Sequence, residues 1–408
     1  MKETKQLKQR EHDFAAKLKQ ASVIERLKAY IDHRRKQVEG QEPTELPLFS
    51  PVSINLDLTS ACNFACPHCV DAAILNSGEA LTLDTIDGIL NTLIPEGLLS
   101  IIILGGGEPT LHKDFEKVVT LIKQKGLQLG IVTNGSCLER VYRVAEILEK
   151  HDWVRLSIDA ARQDTFESMH RPKGGLTLKD VLEPAARLKG VNPSISLGYS
   201  FVIVWDGISV NGHPLTSNLD EMAEAVQLAA AYNFDYVSFK PCLLRLPESE
   251  KETLLHGVKK EAENRIRQII ERNLEEAKKA GGDTVKVLES VNLRALLENR
   301  IDALKHQPNM CHMQFFRTVL SPAGIFHCPA FRGVEKAKIG TKAGYSSEAA
   351  FLETQQRLSE SINTFDAASE CCDIGCFYHH VNWWLENFIR SVESIDEIET
   401  ILDDNFFL

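Results

Sequence analysis

From Val52 onward, short runs of β-branched and apolar residues alternate with longer stretches in which apolar residues recur at helical spacing. Residues 52–58 (VSINLDL), 100–104 (SIIIL), 127–132 (LQLGIV), 153–158 (WVRLSI), 195–204 (ISLGYSFVIV) and 235–240 (DYVSFK) predict strands. Residues 82–94, 113–125, 138–150, 177–189 and 219–232 predict the helices between them. Strands separated by helices call for parallel pairing with right-handed crossovers, so the fold class is α/β, as a barrel or a doubly wound sheet. In either arrangement ligands sit at the carboxyl ends of the strands.

The flanks read differently. Phe14, Leu18, Val23, Leu27, Tyr30 and Ile31 give residues 1–40 one or two amphipathic helices that pack on the outside of the next domain. Residues 39–51 (EGQEPTELPLFSP), with three prolines, form a linker. Residues 246–306 are dense in Glu and Lys and predict a helical connection interrupted at Gly281 and Gly282. Residues 311–328 (CHMQFFRTVLSPAGIFHC) predict a hairpin turning at Ser321–Gly324, and residues 377–390 a final helix. The expected divisions are 1–50 (N-terminal helices and linker), 51–245 (core), 246–306 (connection), 307–380 (a small α+β cysteine-rich domain) and 381–408 (last helix and tail).

The 408 residues, 43% hydrophobic and 25% charged, suffice for a large globular core. A net charge of −11 argues against nucleic acid and anionic membrane as partners. No apolar run reaches spanning length, and the charged N-terminus lacks the apolar core of a secretory signal, so the expected compartment is the cytoplasm. In that reducing setting the ten cysteines are thiols or metal ligands rather than a disulfide framework. All but Cys137 and Cys242 fall within 62–69 or 311–376.

Directly after the first strand stands CNFACPHC, Cys62 to Cys69. Three thiolates in eight residues can hold a 4Fe-4S cluster with one iron left open for a ligand. A structural zinc site of Cys62, Cys66, Cys69 and His68 is the alternative. GGGEP (Gly105–Pro109) follows the second strand, TNG (Thr133–Gly135) the third, and the fourth ends in SID (Ser157–Asp159). Each alone reads equally as a turn or a helix cap.

Taken together and in that order, these motifs resemble the radical SAM superfamily over residues 52–240. The resemblance implies a partial (βα)6 barrel whose 4Fe-4S cluster binds S-adenosylmethionine (SAM) at the open iron. One-electron cleavage then gives a 5′-deoxyadenosyl radical that abstracts hydrogen from a substrate. On this chain the implied ligands are Cys62, Cys66 and Cys69. His68 is placed by the adenine, with Phe64 among the cofactor contacts. Gly106, Gly107, Glu108 and Pro109 are placed at the methionyl end, and Asn134, Ser157 and Asp159 at ribose or carboxylate. At the fifth strand the family's glycine-bearing adenine motif has no clear counterpart.

The C-terminal cysteines resemble the SPASM and Twitch extensions of the same superfamily. Cys311, Gly324, Cys328 and the pair Cys372 and Cys376 fit the one-cluster Twitch form, implying an auxiliary 4Fe-4S cluster, with Cys371 as the rival of Cys372 and structural zinc as the other reading. The expected function is a radical SAM oxidoreductase acting on a small-molecule or sugar-like substrate, with an external low-potential electron donor such as flavodoxin or ferredoxin. The alternatives are a ribosomal-peptide maturase, a redox-neutral epimerase, or a non-catalytic iron-sulfur or zinc redox sensor. Cys137 and Cys242 are either hydrogen donors or buried small hydrophobes. His170, Arg171 and Lys240 are either contacts to an acidic substrate or solvated charges. His379, His380, Trp383 and Trp384 read as core or interface residues of the last helix.

Overall fold

The alternation from Val52 onward folds as a partial (βα)6 barrel in a computed structural model, which describes residues 13–41, 46–210, 213–245, 252–254, 258 and 260–407. Its main sheet has ten strands, numbered here in chain order: β1 Ser53–Leu56, β2 Ser100–Ile103, β3 Gln128–Thr133, β4 Trp153–Ser157, β5 Ser196–Ile203, β6 Tyr236–Pro241, β7 Lys286–Glu289, β8 Arg317–Ser321, β9 Gly324–Phe326 and β10 Lys338–Gly340. The spatial order is β7-β6-β5-β4-β3-β2-β1-β8-β9-β10. β1 to β6 are parallel throughout, as their helical crossovers require. β1 (SINL) and β2 (SIII) are buried at every position, which is why they are mostly apolar and show no alternation of buried and exposed residues.

The crossover helices start where the sequence offers caps. Thr82 caps Leu83–Leu93, and a Thr177–Asp180 capping box opens Leu178–Val191. The stretch 138–150 yields only a short helix, Leu138–Tyr142, and a 3-10 turn at Ala145–Ile147. An additional helix, Gln163–His170, ends on Arg171 in the left-handed conformation.

Two elements differ from the sequence expectation. The connection is not purely helical: the helix Lys260–Gly281 stops at Gly281 and β7 follows, pairing in parallel with β6. Residues 246–251, 255–257 and 259 of that connection lie outside the described residues, as do 1–12 and 42–45 of the N-terminal extension and linker. The expected hairpin forms as β8 and β9, but β8 also pairs in parallel with β1, Ser53 facing Arg317 and Leu56 facing Leu320. The cysteine-rich segment thus continues the barrel's own sheet.

The N-terminal helix Ile24–Val38 packs on this C-terminal segment, with Tyr30 stacked on Phe315 at 4.6 Å and its hydroxyl 2.9 Å from His312 Nδ1. The C-terminal tail closes the amino end of the sheet. Ser100 Oγ donates to the Phe406 carbonyl, Phe406 N donates to Gln128 Oε1, and Phe407 lies against Trp153. Among the described residues no helix is long and apolar enough to cross a membrane.

Candidate functional site

β1 ends at Leu56 and hands the chain to the loop that carries Cys62, Cys66 and Cys69, at the carboxyl end of the sheet. All three thiols are half-buried. Burial pushes the Cys66 thiol far above its ordinary range, and the neighbouring Cys69 and Cys62 add to the effect. Burial likewise raises Cys62 and carries Cys69 up to about 12. Thiols so placed become thiolates only beside a strong cation, which a metal centre supplies. A cuboid cluster takes its thiolates at separate corners, so this donor set fits a 4Fe-4S cluster with three protein ligands.

The loop is held by its neighbours. Phe64 turns inward, onto Phe166 and His170, rather than toward the mouth. Ala65 N donates to the His170 carbonyl, and Cys66 Sγ is 3.3 Å from His170 Nδ1, whose ring donates through Nε2 to the Ile158 carbonyl at 2.7 Å. His170 is therefore a buried support of the cysteine loop. Asn134 Nδ2 and Ser136 Oγ both donate to Asn63 Oδ1, and Cys62 N donates to Asn76 Oδ1. Asn134 thus ties the third strand end to the loop. Asn63 and Asn76 were not singled out by sequence, where an isolated Asn reads as a turn residue.

GGGEP presses its backbone onto the entry to that loop. A Cβ on Gly107 would stand 2.3 Å from the Thr59 carbonyl, and one on Gly106, at φ +77°, 2.6 Å from Asp57 Oδ2. Glu108 is buried, its Oε1 accepting from Thr110 N (3.0 Å), Thr110 Oγ1 (2.5 Å) and Thr133 Oγ1 (2.6 Å), and its Oε2 from Asn134 N (2.7 Å). Burial still raises its carboxyl pKa despite these donors. Glu108 chiefly welds the β2 turn to β3, leaving one acceptor direction on Oε2 for a ligand ammonium. Pro109 is buried at the start of a 3-10 turn.

At the fourth strand end, Ser157 is half-buried. Asp159, at φ +53°, is buried and accepts from Val202 N at 2.8 Å. Its Oδ2 lies 3.5 Å from His68 Nε2 and 3.6 Å from His170 Nε2. Burial pushes this carboxyl up, but the two imidazoles and the Val202 amide outweigh it and hold the group below the usual range. Cys66, His68, Asp159 and His170 therefore share one corner of the mouth, with the Cys242 thiol near enough to feel Asp159. Cys137 stands apart, ahead of helix Leu138–Tyr142. On the last helix, Trp383 Nε1 donates to the His306 carbonyl and His379 Nδ1 is 3.2 Å from Gln307 Nε2.

The C-terminal thiols gather separately. Cys328, Cys371 and Cys376 line one narrow cavity with Glu252, Asn292 and Tyr378. Burial raises Cys376 far above its ordinary range, with Cys311 and Cys328 close by adding to it. Cys328 is carried by burial to about 12. The expected ligand Cys372 lies outside: it is exposed, its Sγ 3.6 Å from Asp373 Oδ2. The helix Ala367–Glu370 ends in a turn that directs Cys371 inward and its neighbour outward.

One buried group escaped the sequence reading altogether. Arg332, in the loop after Cys328, reaches Asp57 with Nε (2.9 Å) and Asp71 with Nη1 (2.7 Å). An arginine in a charged loop reads as solvated. The available signal was Asp57 itself, an acid in an apolar strand run with no cation near it in sequence.

Comparison with known proteins agrees with this geometry. An S-adenosylmethionine-dependent nucleotide dehydratase of Selenomonas ruminantium is 30% identical over 154 residues, 37% of this chain and 56% of that protein. The chain spans about half the length of the curated relatives it matches. In structure, Streptococcus suis SuiB superposes with a TM-score of 0.58 at 16% identity, covering 91% of this chain and 80% of SuiB. The AdoMet-bound anSMEcpe gives 0.53 at 16% identity, covering 83% of this chain and 99% of that one. These two likenesses show a shared fold. Residues 56–210, which carry the three-thiol loop and the glycine turn at the strand ends, match the family model of the Radical SAM superfamily.

Proposed function

We propose that this radical SAM enzyme is an oxidoreductase with one auxiliary 4Fe-4S cluster, acting on a small molecule. Cys62, Cys66 and Cys69 would hold the SAM cluster, and Cys311, Cys328, Cys371 and Cys376 the auxiliary one. When bound, the first group supplies one-electron cleavage of SAM and hydrogen abstraction from the substrate. The chain's own part is positioning. The Gly106–Gly107 turn lets backbone approach a ligand, and the paired His68 and Asp159 offer a fixed ring and carboxylate beside it. The buried strand ends keep the mouth dry. Electrons would come from an external low-potential donor of the flavodoxin or ferredoxin kind.

The observation that carries this reading is the gathering of three C-terminal thiols in one cavity, with Cys311 adjoining, beside a hairpin whose strand β8 pairs with β1. A fully thiolate-ligated cluster suits electron transfer rather than ligand binding. The nucleotide dehydratase likeness favours a small molecule. So does the N-terminal extension, whose described residues are helices packed on the C-terminal segment rather than strands of an added peptide-binding domain. A peptide substrate is the second reading, because the similar fold of SuiB occurs with a precursor peptide, SuiA. Anaerobic reconstitution tests the first statement. About eight irons per chain and 5′-deoxyadenosine formation with dithionite are expected, and a colourless zinc-loaded chain would overturn it. Deuterium transfer from labelled nucleotides or from a precursor peptide into 5′-deoxyadenosine then decides the substrate class.

A further inference from the structure

The C-terminal segment reaches into the barrel mouth at one place. Arg332 follows Cys328 by four residues and is 4% exposed. Its two carboxylate partners bracket the cysteine loop: Asp57 directly follows β1, and Asp71 stands two residues past Cys69. The Asp57 contact is an ion pair whose angle misses hydrogen-bonding geometry, so among the described residues no donor is hydrogen-bonded to either Asp57 oxygen. Arg332 is the cation facing both buried acids, and its removal would leave them uncompensated.

The same trio backs the glycine turn. Asp71 Oδ2, besides accepting from Arg332, accepts from Gly106 N at 3.3 Å. A Cβ on Gly105 would stand 2.9 Å from Asp71 Oδ2 and 3.2 Å from Arg332 Nη1. The next residue, Gly333, turns at φ +79° with its Cα against the cysteine loop, where a Cβ would come within 2.6 Å of Ile74 Cγ2.

On its other side the loop is fixed to the thiol cavity. Arg245 donates to the carbonyls of Arg332 and Ala330, each at 3.0 Å, and pairs at 2.9 Å with Glu252. Glu252 lines the cavity with Cys328, Cys371 and Cys376. Phe331, fully buried, anchors the loop in the small apolar cluster that includes Cys371. A chain of contacts thus runs from the cavity of the C-terminal thiols through Glu252 and Arg245, both part-buried, to the buried Arg332, Asp71 and the Gly106 amide.

We propose that Arg332 is a positioning residue that couples the two sites, so that filling the C-terminal thiol cavity fixes the 328–333 loop and, through Asp71, the glycine turn that receives SAM. This rests on the proposed function and adds to it that the auxiliary site sets SAM affinity. Coupling of this kind is a free energy shared between sites, so each site must report on the other.

A double-mutant cycle on the reconstituted full chain tests it, with SAM affinity measured by equilibrium dialysis and iron counted in parallel. Arg332→Ala is expected to keep the iron of the wild type yet weaken SAM binding about fivefold or more. Cys328→Ala should lose about half the iron and weaken SAM to a similar degree. The double variant should be no weaker than the weaker single, because both changes break one path. Wild-type affinity in Arg332→Ala, or fold-losses that multiply in the double variant, would overturn the coupling.

If Arg332→Ala fails to fold, Arg332→Lys takes its place, since one ammonium keeps the charge but loses the forked grip on both carboxylates. Hydrogen exchange on the metal-free chain adds a measurement that needs no bound group. Arg332→Lys should speed exchange of the Gly106 amide while leaving β3 to β5 unchanged, and unchanged exchange at Gly106 would sink the proposal. A wild-type chain that takes up no iron would instead overturn the proposed function, and the exchange experiment would still decide the role of Arg332.

Discussion

The two thiol groups of this chain are built in opposite ways. The first lies within eight consecutive residues on a half-buried loop, braced from outside by Asn134, Ser136, Asn76 and His170. The second is assembled from residues spread over 311–376: Cys371 is buried, while Cys311, Cys328 and Cys376 are half-buried against the C-terminal core and the last helix. A centre that must admit a ligand needs an open face and is supported from behind, whereas one that only passes electrons is best shut away. Under the proposed function the first group does the chemistry and the second passes electrons, and this difference in assembly suits that division.

The sharpest way to break this contrast is Cys66→Ala. It should abolish 5′-deoxyadenosine formation while keeping about half the iron, because only the loop site loses a ligand. Retained cleavage would show that the loop is not the reacting site. Next comes the choice between adjacent thiols: Cys371→Ala should lose about half the iron, and Cys372→Ala none. Equal loss in both, by iron assay, would mean that the cavity does not define the second site.

A milder effect is expected at Glu108, which serves the fold of the first site. Glu108→Ala should lower the stability of the metal-free chain by about 2 to 4 kcal/mol, read from denaturant midpoints, since four buried donors lose one acceptor. A change confined to SAM affinity, with stability intact, would restore Glu108 to a purely ligand-facing role. The smallest effect belongs to Cys137, outside both groups. Cys137→Ser should leave iron content and SAM cleavage as they are, and a loss of either would add a third thiol region to the comparison.

The same contrast explains what could be read from the sequence. β1 to β6 announce themselves because each is a short apolar run bounded by turn residues, and the three-thiol loop because its spacing is local. β7 was hidden: KVLE puts charges at two of four positions, tolerable on an edge strand but indistinguishable from the surrounding helical charge. The parallel pairing of β8 with β1 was hidden because nothing local records a partner more than 250 residues away. His170 looked like a loop charge since the helix that buries it is only eight residues long. Cys371 and Cys372 are equivalent in composition, and only the turn after Glu370 separates them. Local chemistry is legible; which distant side chains meet is decided by packing.

The pairing of β1 with β8 also bears on how the protein is made. β1 lies in the interior of the finished sheet, between β2 and β8. On the ribosome it gains β2 early, but β8 is not yet synthesised. At roughly 5 to 20 residues per second the missing neighbour arrives roughly tens of seconds later. Through that interval the nascent chain presents an unpaired strand edge beside three thiols, the kind of surface that chaperones hold and that aggregates when they do not.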